Sequence, residues 1–195
     1  MIYLVRMRPK FRAAAVALVL VGALSASGCA PEAPAADPTP TPSATPLFAS
    51  DEEALAAAEE AYAAYQQVED QILADGGQNG DRIRPFAVRD ALQAAVDGFA
   101  SFEEEGLRSI GPTGYELLRV QTVAPRSSQT KNAVTAYVCL DFSQSDVVNQ
   151  NNESVVREGR PLLQEFEVAF DVDAKSGDLV LSSRDPWMGE DECGV

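Results

Sequence analysis

Apolar positions recur every three or four residues from about residue 51, and after residue 114 the repeat shortens to two. The first regime predicts amphipathic helices, the second half-buried strands. Ser50 and Glu53 have the spacing of a capping box, so a helix is expected to start at residue 51. At 100° per residue, Leu55, Ala58, Ala61, Tyr62, Tyr65, Val68, Ile72 and Leu73 share one arc, while Glu52, Glu59, Glu60, Gln67 and Asp70 share the other. Gly76 and Gly77 end the pattern. A second helix fits residues 86 to about 101, with Leu92, Ala95 and Phe99 on its apolar stripe. Gly98 weakens it, Glu103-Glu104-Glu105 opposes a helix C-terminal dipole, and Gly106 is a natural stop.

Residues 115–124, 132–142, 163–172 and 178–184 alternate and are rich in β-branched and aromatic side chains, which predicts four strands. The Ser- and Asn-rich stretch 143–161 carries Val147-Val148 and Val155-Val156 and is expected to form a short flap or hairpin. Helices first and strands after define an α+β domain, with N-terminal amphipathic helices packed on a curved antiparallel sheet of about four strands, cone-like. On the second strand, Val134, Ala136, Val138 and Leu140 would face the helices and Cys139 the opposite side.

Upstream the pattern is of a different kind. Residues 1–28 hold Arg6, Arg8, Lys10 and Arg12, no acidic residue, and an apolar run from Ala13 to Leu24. A basic start, a short apolar stretch and small residues at Ser25 to Gly28 describe an export signal. At ~1.5 Å per residue that run spans about 18 Å as a helix, short of a ~30 Å hydrocarbon core. Residues 29–50 include Pro31, Pro34, Pro38, Pro40, Pro42 and Pro46 among Ala, Thr and Ser, which is the composition of a semi-rigid tether. The chain thus divides into a leader (1–28), a tether (29–50) and a folded domain (51–195).

The formal charge is -15, and removing the leader's four positive and no negative charges leaves -19. Such a domain is repelled by anionic headgroups and is a poor partner for nucleic acid. Histidine is absent, which excludes Ser-His-Asp and Cys-His nucleophile systems and every His-ligated metal site. No pattern calls for a cofactor.

The segment Ala26-Ser27-Gly28-Cys29 resembles the bacterial lipobox, in which the cysteine is lipidated and becomes the mature N-terminus. That resemblance implies a lipid anchor at Cys29 and a place on the extracytoplasmic face of the cell membrane. Ordinary signal cleavage with a bystander cysteine is the alternative. With Cys29 lipidated, Cys139 and Cys193 remain as a disulfide pair for an oxidising compartment, or else as two free thiols.

Two amphipathic helices, a curved sheet, the stretch from Ala136 to Ser143, Asp146-Val147-Val148, Ser154-Val155-Val156, and Trp187 with Cys193 resemble small actinobacterial secreted lipoproteins of the nuclear transport factor 2-like superfamily. The resemblance implies a cone whose sheet wraps the helices around a cavity. It also implies either a non-catalytic binding or accessory domain, with an envelope protein or small hydrophobic ligand as partner, or an isomerase or dehydratase acting on a small hydrophobic carbonyl compound.

The enzyme version needs a carboxylate base beside a tyrosine or a protonated acid. Tyr62, Tyr65, Tyr115 and Tyr137 are candidate donors and Asp141 a candidate base. Alternation, however, turns Asp141 to the Cys139 side, and no strand carboxylate falls inside with a tyrosine. The binding version is therefore preferred. Tyr62, Tyr65, Phe99, Phe166 and Phe170 are candidate pocket residues, with Trp187 over the cone's open end. The stretch Asp171 to Asp178 suggests a calcium loop but lacks the closing bidentate Glu, so a hairpin turn is expected there. Glu103 to Glu105 and Glu190 to Glu192 read as solvated charge.

Overall fold

The computed structural model describes residues 47–125, 131–189 and Cys193. The leader, Cys29, most of the tether and Glu190 to Glu192 lie outside the described residues.

Helix α1 (Asp51–Ala74) begins at the expected cap. The Glu53 amide donates to Ser50 Oγ at 3.2 Å, and Glu53 Oε2 accepts from the Ala49 amide at 2.8 Å. One amide that the first turn would leave orphaned is thereby satisfied, and the residue before the cap is tied to the helix. Its inner face buries Ala54, Ala58, Tyr62, Tyr65 and Ile72. A turn and a short 3-10 helix (Gly80–Ile83) lead on toward α2 (Arg89–Glu105). Gly77 sits at φ +82°, and a Cβ there would lie 2.1 Å from the Phe99 carbonyl oxygen. Only glycine lets this turn close onto α2, and that contact sets the spacing of the two helices.

Helix α2 starts three residues later than the period suggests, because residues 86–88 are drawn to the sheet. The Val88 amide donates to the Leu181 carbonyl at 2.8 Å, and the Leu181 amide to that of Phe86 at 3.1 Å. At the other end Glu103 to Glu105 stay helical as far as Gly106, which adopts φ +64°. The left-handed cap offsets the unfavourable charge.

The strands are β1 (Arg108–Ile110), β2 (Gly114–Val123), β3 (Val134–Asp141), β4 (Asp146–Val148), β5 (Leu163–Val172) and β6 (Leu179–Pro186). The main sheet runs β2-β3-β5-β6, antiparallel throughout, and stays open. Register breaks after Leu117, Val120 and Ala169 mark bulges, which bend a strand and raise its twist. Both helices pack on one face: α1 against β2, β3 and β6, α2 chiefly against β6 and only lightly against α1. The α+β arrangement is that read from the sequence. Val134, Ala136, Val138 and Leu140 point into the core with Val168, Phe170 and Leu181.

The loop 143–161 contains the expected short hairpin, with Val148 bridged antiparallel to Ser154. Its β4 pairs with β1, a strand too short to show a period, while Val155 returns to donate its amide to the Val147 carbonyl at 2.9 Å. On the outer face of the sheet Cys139 is bonded to Cys193 with Cα atoms 5.8 Å apart. Trp187 lies beside the same region, edge-on to Tyr137 at 4.8 Å. It covers the outside of the sheet and not an open end of a cone. The 171–178 segment is a hairpin turn: the Asp173 carboxylate accepts from the Lys175 and Ser176 amides, which hold it below the usual carboxylate range.

Candidate functional site

The position that strand alternation misses is Glu69, four residues after Tyr65 on the inner face of α1 and 7% exposed. Tyr65 donates its hydroxyl proton to Glu69 Oε1 at 2.7 Å. Across the core, β6 supplies Arg184, whose Nη2 reaches Glu69 Oε1 at 2.8 Å and whose Nη1 reaches Oε2 at 2.9 Å. Nη1 also lies 3.5 Å from the Tyr62 hydroxyl. The guanidinium plane is stacked by aromatic rings, 5.4 Å from the Tyr65 centroid and 6.0 Å from that of Phe166. A fork-to-fork pair of this kind fixes both side chains in one geometry.

The electrostatics follow from burial. Desolvation pushes the Tyr62 phenol up to about 12 despite the nearby guanidinium. Tyr65 is raised further, by desolvation and then by the adjacent Glu69 carboxylate. Burial alone would weaken Arg184 as a cation, but the Glu69 charge and the two phenols outweigh it and hold it above its ordinary value. Asp70, beside Glu69 in sequence, is raised by desolvation against a hydrogen bond from Gln66.

A cleft of about 440 Å³, lined from α1, α2, β5 and β6, adjoins this cluster. Its walls are mainly apolar, with Leu73, Ala95, Phe99, Phe102 and Phe166, and its polar end is Tyr65, Glu69 and Arg184. Asp90 and Asp185 also line it, so three carboxylates face one guanidinium. The recess therefore suits a neutral or cationic apolar molecule and opposes an anion.

Of the residues singled out from the sequence, Tyr65, Phe99 and Phe166 meet in this cleft. Tyr62 and Phe170 are fully enclosed in the core. Trp187 and Tyr137 are on the other side of the sheet, and Tyr115 packs edge-on against Tyr62 at 4.9 Å. Asp141 caps its own turn, accepting the Ser143 amide at 2.8 Å, a bond that lowers its affinity for a proton. Glu69 and Arg184 were missed. The signal for Glu69 was the helical period itself, since four residues from Tyr65 is one turn along the same stripe.

Fold and site together define an α+β domain of two helices on an open antiparallel sheet, with an ion-paired recess between the helices. No family model and no curated protein matches the sequence. Among solved structures the chain is similar to the crystal structure of the intermembrane space region of chloroplast protein ARC6, at 13% identity and a TM-score of 0.47 over 68% of this chain and 97% of that one. Among the described residues no helix is long and apolar enough to cross a membrane, and no group of His, Cys, Asp or Glu is placed to hold a metal ion.

Proposed function

We propose that the chain is a lipid-anchored extracytoplasmic lipoprotein, held at the membrane through Cys29, whose folded domain binds a small apolar ligand in the helix cleft and does not transform it. The observation that carries the binding reading is the closure of the polar cluster on itself. Tyr65 directs its proton into Glu69, and both Glu69 oxygens accept from Arg184. A general base needs a lone pair aimed at its substrate, and a general acid a proton free to leave. Here the carboxylate is engaged by three donors, and both phenols are held protonated by burial. Two helices on one face of a bulged, open sheet, with a recess between them, support membership of the nuclear transport factor 2-like superfamily. The export-type leader and the lipobox-like Cys29 support the anchor.

A second reading, a cone-fold isomerase or dehydratase, draws on Tyr65 lying against a carboxylate at the end of a largely apolar recess. The two separate by experiment. The neutral fluorophore N-phenyl-1-naphthylamine should brighten on binding the domain, and Ala94→Trp, which fills the cleft from α2, should weaken that by tenfold or more. No brightening, or an unchanged Ala94→Trp variant, would sink the binding reading. Turnover of a β,γ-unsaturated ketone that falls about a hundredfold in Glu69→Gln would replace it with the enzyme. Cys29→Ser should move the protein from the membrane fraction to the medium or leave it as precursor; normal processing and retention would refute the anchor.

A further inference from the structure

A larger recess, about 590 Å³, opens on another part of the domain, between the N-terminal half of α1 and the β5–β6 turn. Phe48, Ala61, Phe86 and Leu179 form its apolar part and are all partly or fully buried. Glu60, Asp173 and Asp178 supply its charges, and no Lys or Arg is among its lining residues. Lys175 stands on the same turn, exposed and outside the lining, and its charge and amide, with the Ser176 amide, already act on Asp173, which leaves Glu60 and Asp178 as the open charges of the rim.

We infer that this recess docks a basic-apolar segment of a partner protein: one bulky apolar side chain inserted on the floor, flanked by Lys or Arg meeting the Glu60 and Asp178 carboxylates. An apolar anchor surrounded by complementary charge is the arrangement in which burial supplies affinity and charge supplies orientation and rate. Charge also decides among occupants. Residues 30–46 of the chain contain Glu32 and Asp37 and no basic residue, so the protein's own tether does not complement the rim. A second copy, with a net charge of -19 once the leader is removed, would bring like charge toward the rim. An anionic bilayer is repelled for the same reason. Phe48 lies two residues before the α1 cap at Ser50, so the recess adjoins the point where the tether enters the fold. The inference stands apart from the helix cleft and fails or holds independently of it.

The test uses the full chain and two synthetic peptides, Lys-Lys-Phe-Lys-Lys and Glu-Glu-Phe-Glu-Glu, with affinity read by calorimetry. The lysine peptide should bind at least tenfold tighter, and the difference should shrink in high salt. Glu60→Gln and Asp178→Asn should each weaken it about threefold, the effect of one unit charge across a hydrated ~6 Å. Ala61→Trp should fill the recess and remove binding; the two rim variants keep the test decisive if that substitution unfolds the chain. Equal affinity for both peptides, unchanged rim variants, or loss of peptide binding in Ala94→Trp would overturn the inference. So would tighter adsorption to phosphatidylglycerol vesicles than to the lysine peptide.

Discussion

Replacing Arg184 by Met should be among the most damaging single changes in the domain. The guanidinium bonds Glu69 through two nitrogens at 2.8 and 2.9 Å, and the side chains are only 24% and 9% exposed. At an effective dielectric near 20 and a charge separation of about 4 Å the attraction is roughly 4 kcal/mol. Without Arg184, Glu69 retains the Tyr65 hydroxyl and little else, and a buried charge stripped of its partner costs about 3–5 kcal/mol. That is a large share of the ~5–15 kcal/mol that stabilises an ordinary domain, and for a chain of this size it lowers Tm by roughly 10 °C. Glu69→Met with Arg184→Met should recover part of the loss, because apolar side chains of similar length replace the pair without stranding a charge, while the Tyr65 hydroxyl loses its acceptor. Thermal and urea unfolding of the two single variants and the double variant, disulfide intact, give the coupling directly. An Arg184→Met variant within about 1 kcal/mol of the parent, or additive single effects, would refute the reasoning.

Two further outcomes follow. Because the Tyr62 and Tyr65 phenols are raised in the folded state, they favour folding below the ordinary tyrosine value near 10, and that contribution is lost as pH rises from there through about 12 for Tyr62 and higher still for Tyr65. Alkaline unfolding and the late phenolate absorbance at 295 nm should therefore coincide; early ionisation of both tyrosines in a folded chain would contradict it. Reduction of Cys139–Cys193, which are 54 residues apart, should add two hydrogens to the intact mass and destabilise by about 4 kcal/mol in the chain-entropy model, whereas free thiols in exported protein would refute the bridge.

What could be read from the sequence divides along physical lines. Helix α1 was legible because it buries one face over many residues, and β3 and β5 because their runs of β-branched and aromatic residues mark strands, although the burial of β3 and of the second half of β5 extends to both faces. The start of α2 was not, since Phe86 and Val88 bond to β6, a tertiary preference that no local period records. β1 and β4 are three residues each and exist only as a pair. In the site, the aromatic members Tyr65, Phe99 and Phe166 announced themselves by apolarity. Glu69 and Arg184 did not, because each looks like a surface charge until the other is brought to it from 115 residues away. The sequence pattern puts Trp187 at an open end, yet the sheet leaves its outer face to be covered, and the ring packs on Tyr137 there.

That long separation has a consequence for how the domain comes into being. The cleft's polar end joins the first helix to the last strand, and the segment before α2 also bonds to that strand. High contact order of this kind slows folding, since distant segments must meet before their contacts repay the loss of chain freedom. Until β6 arrives, α1 carries Glu69 among Tyr62, Tyr65 and Ile72 with no cation to match it, so the inner face of the helix is self-discouraging as a surface for premature burial. Assembly of the recess and completion of folding are thus one event: a chain lacking β6 has half a recess and an unmatched charge.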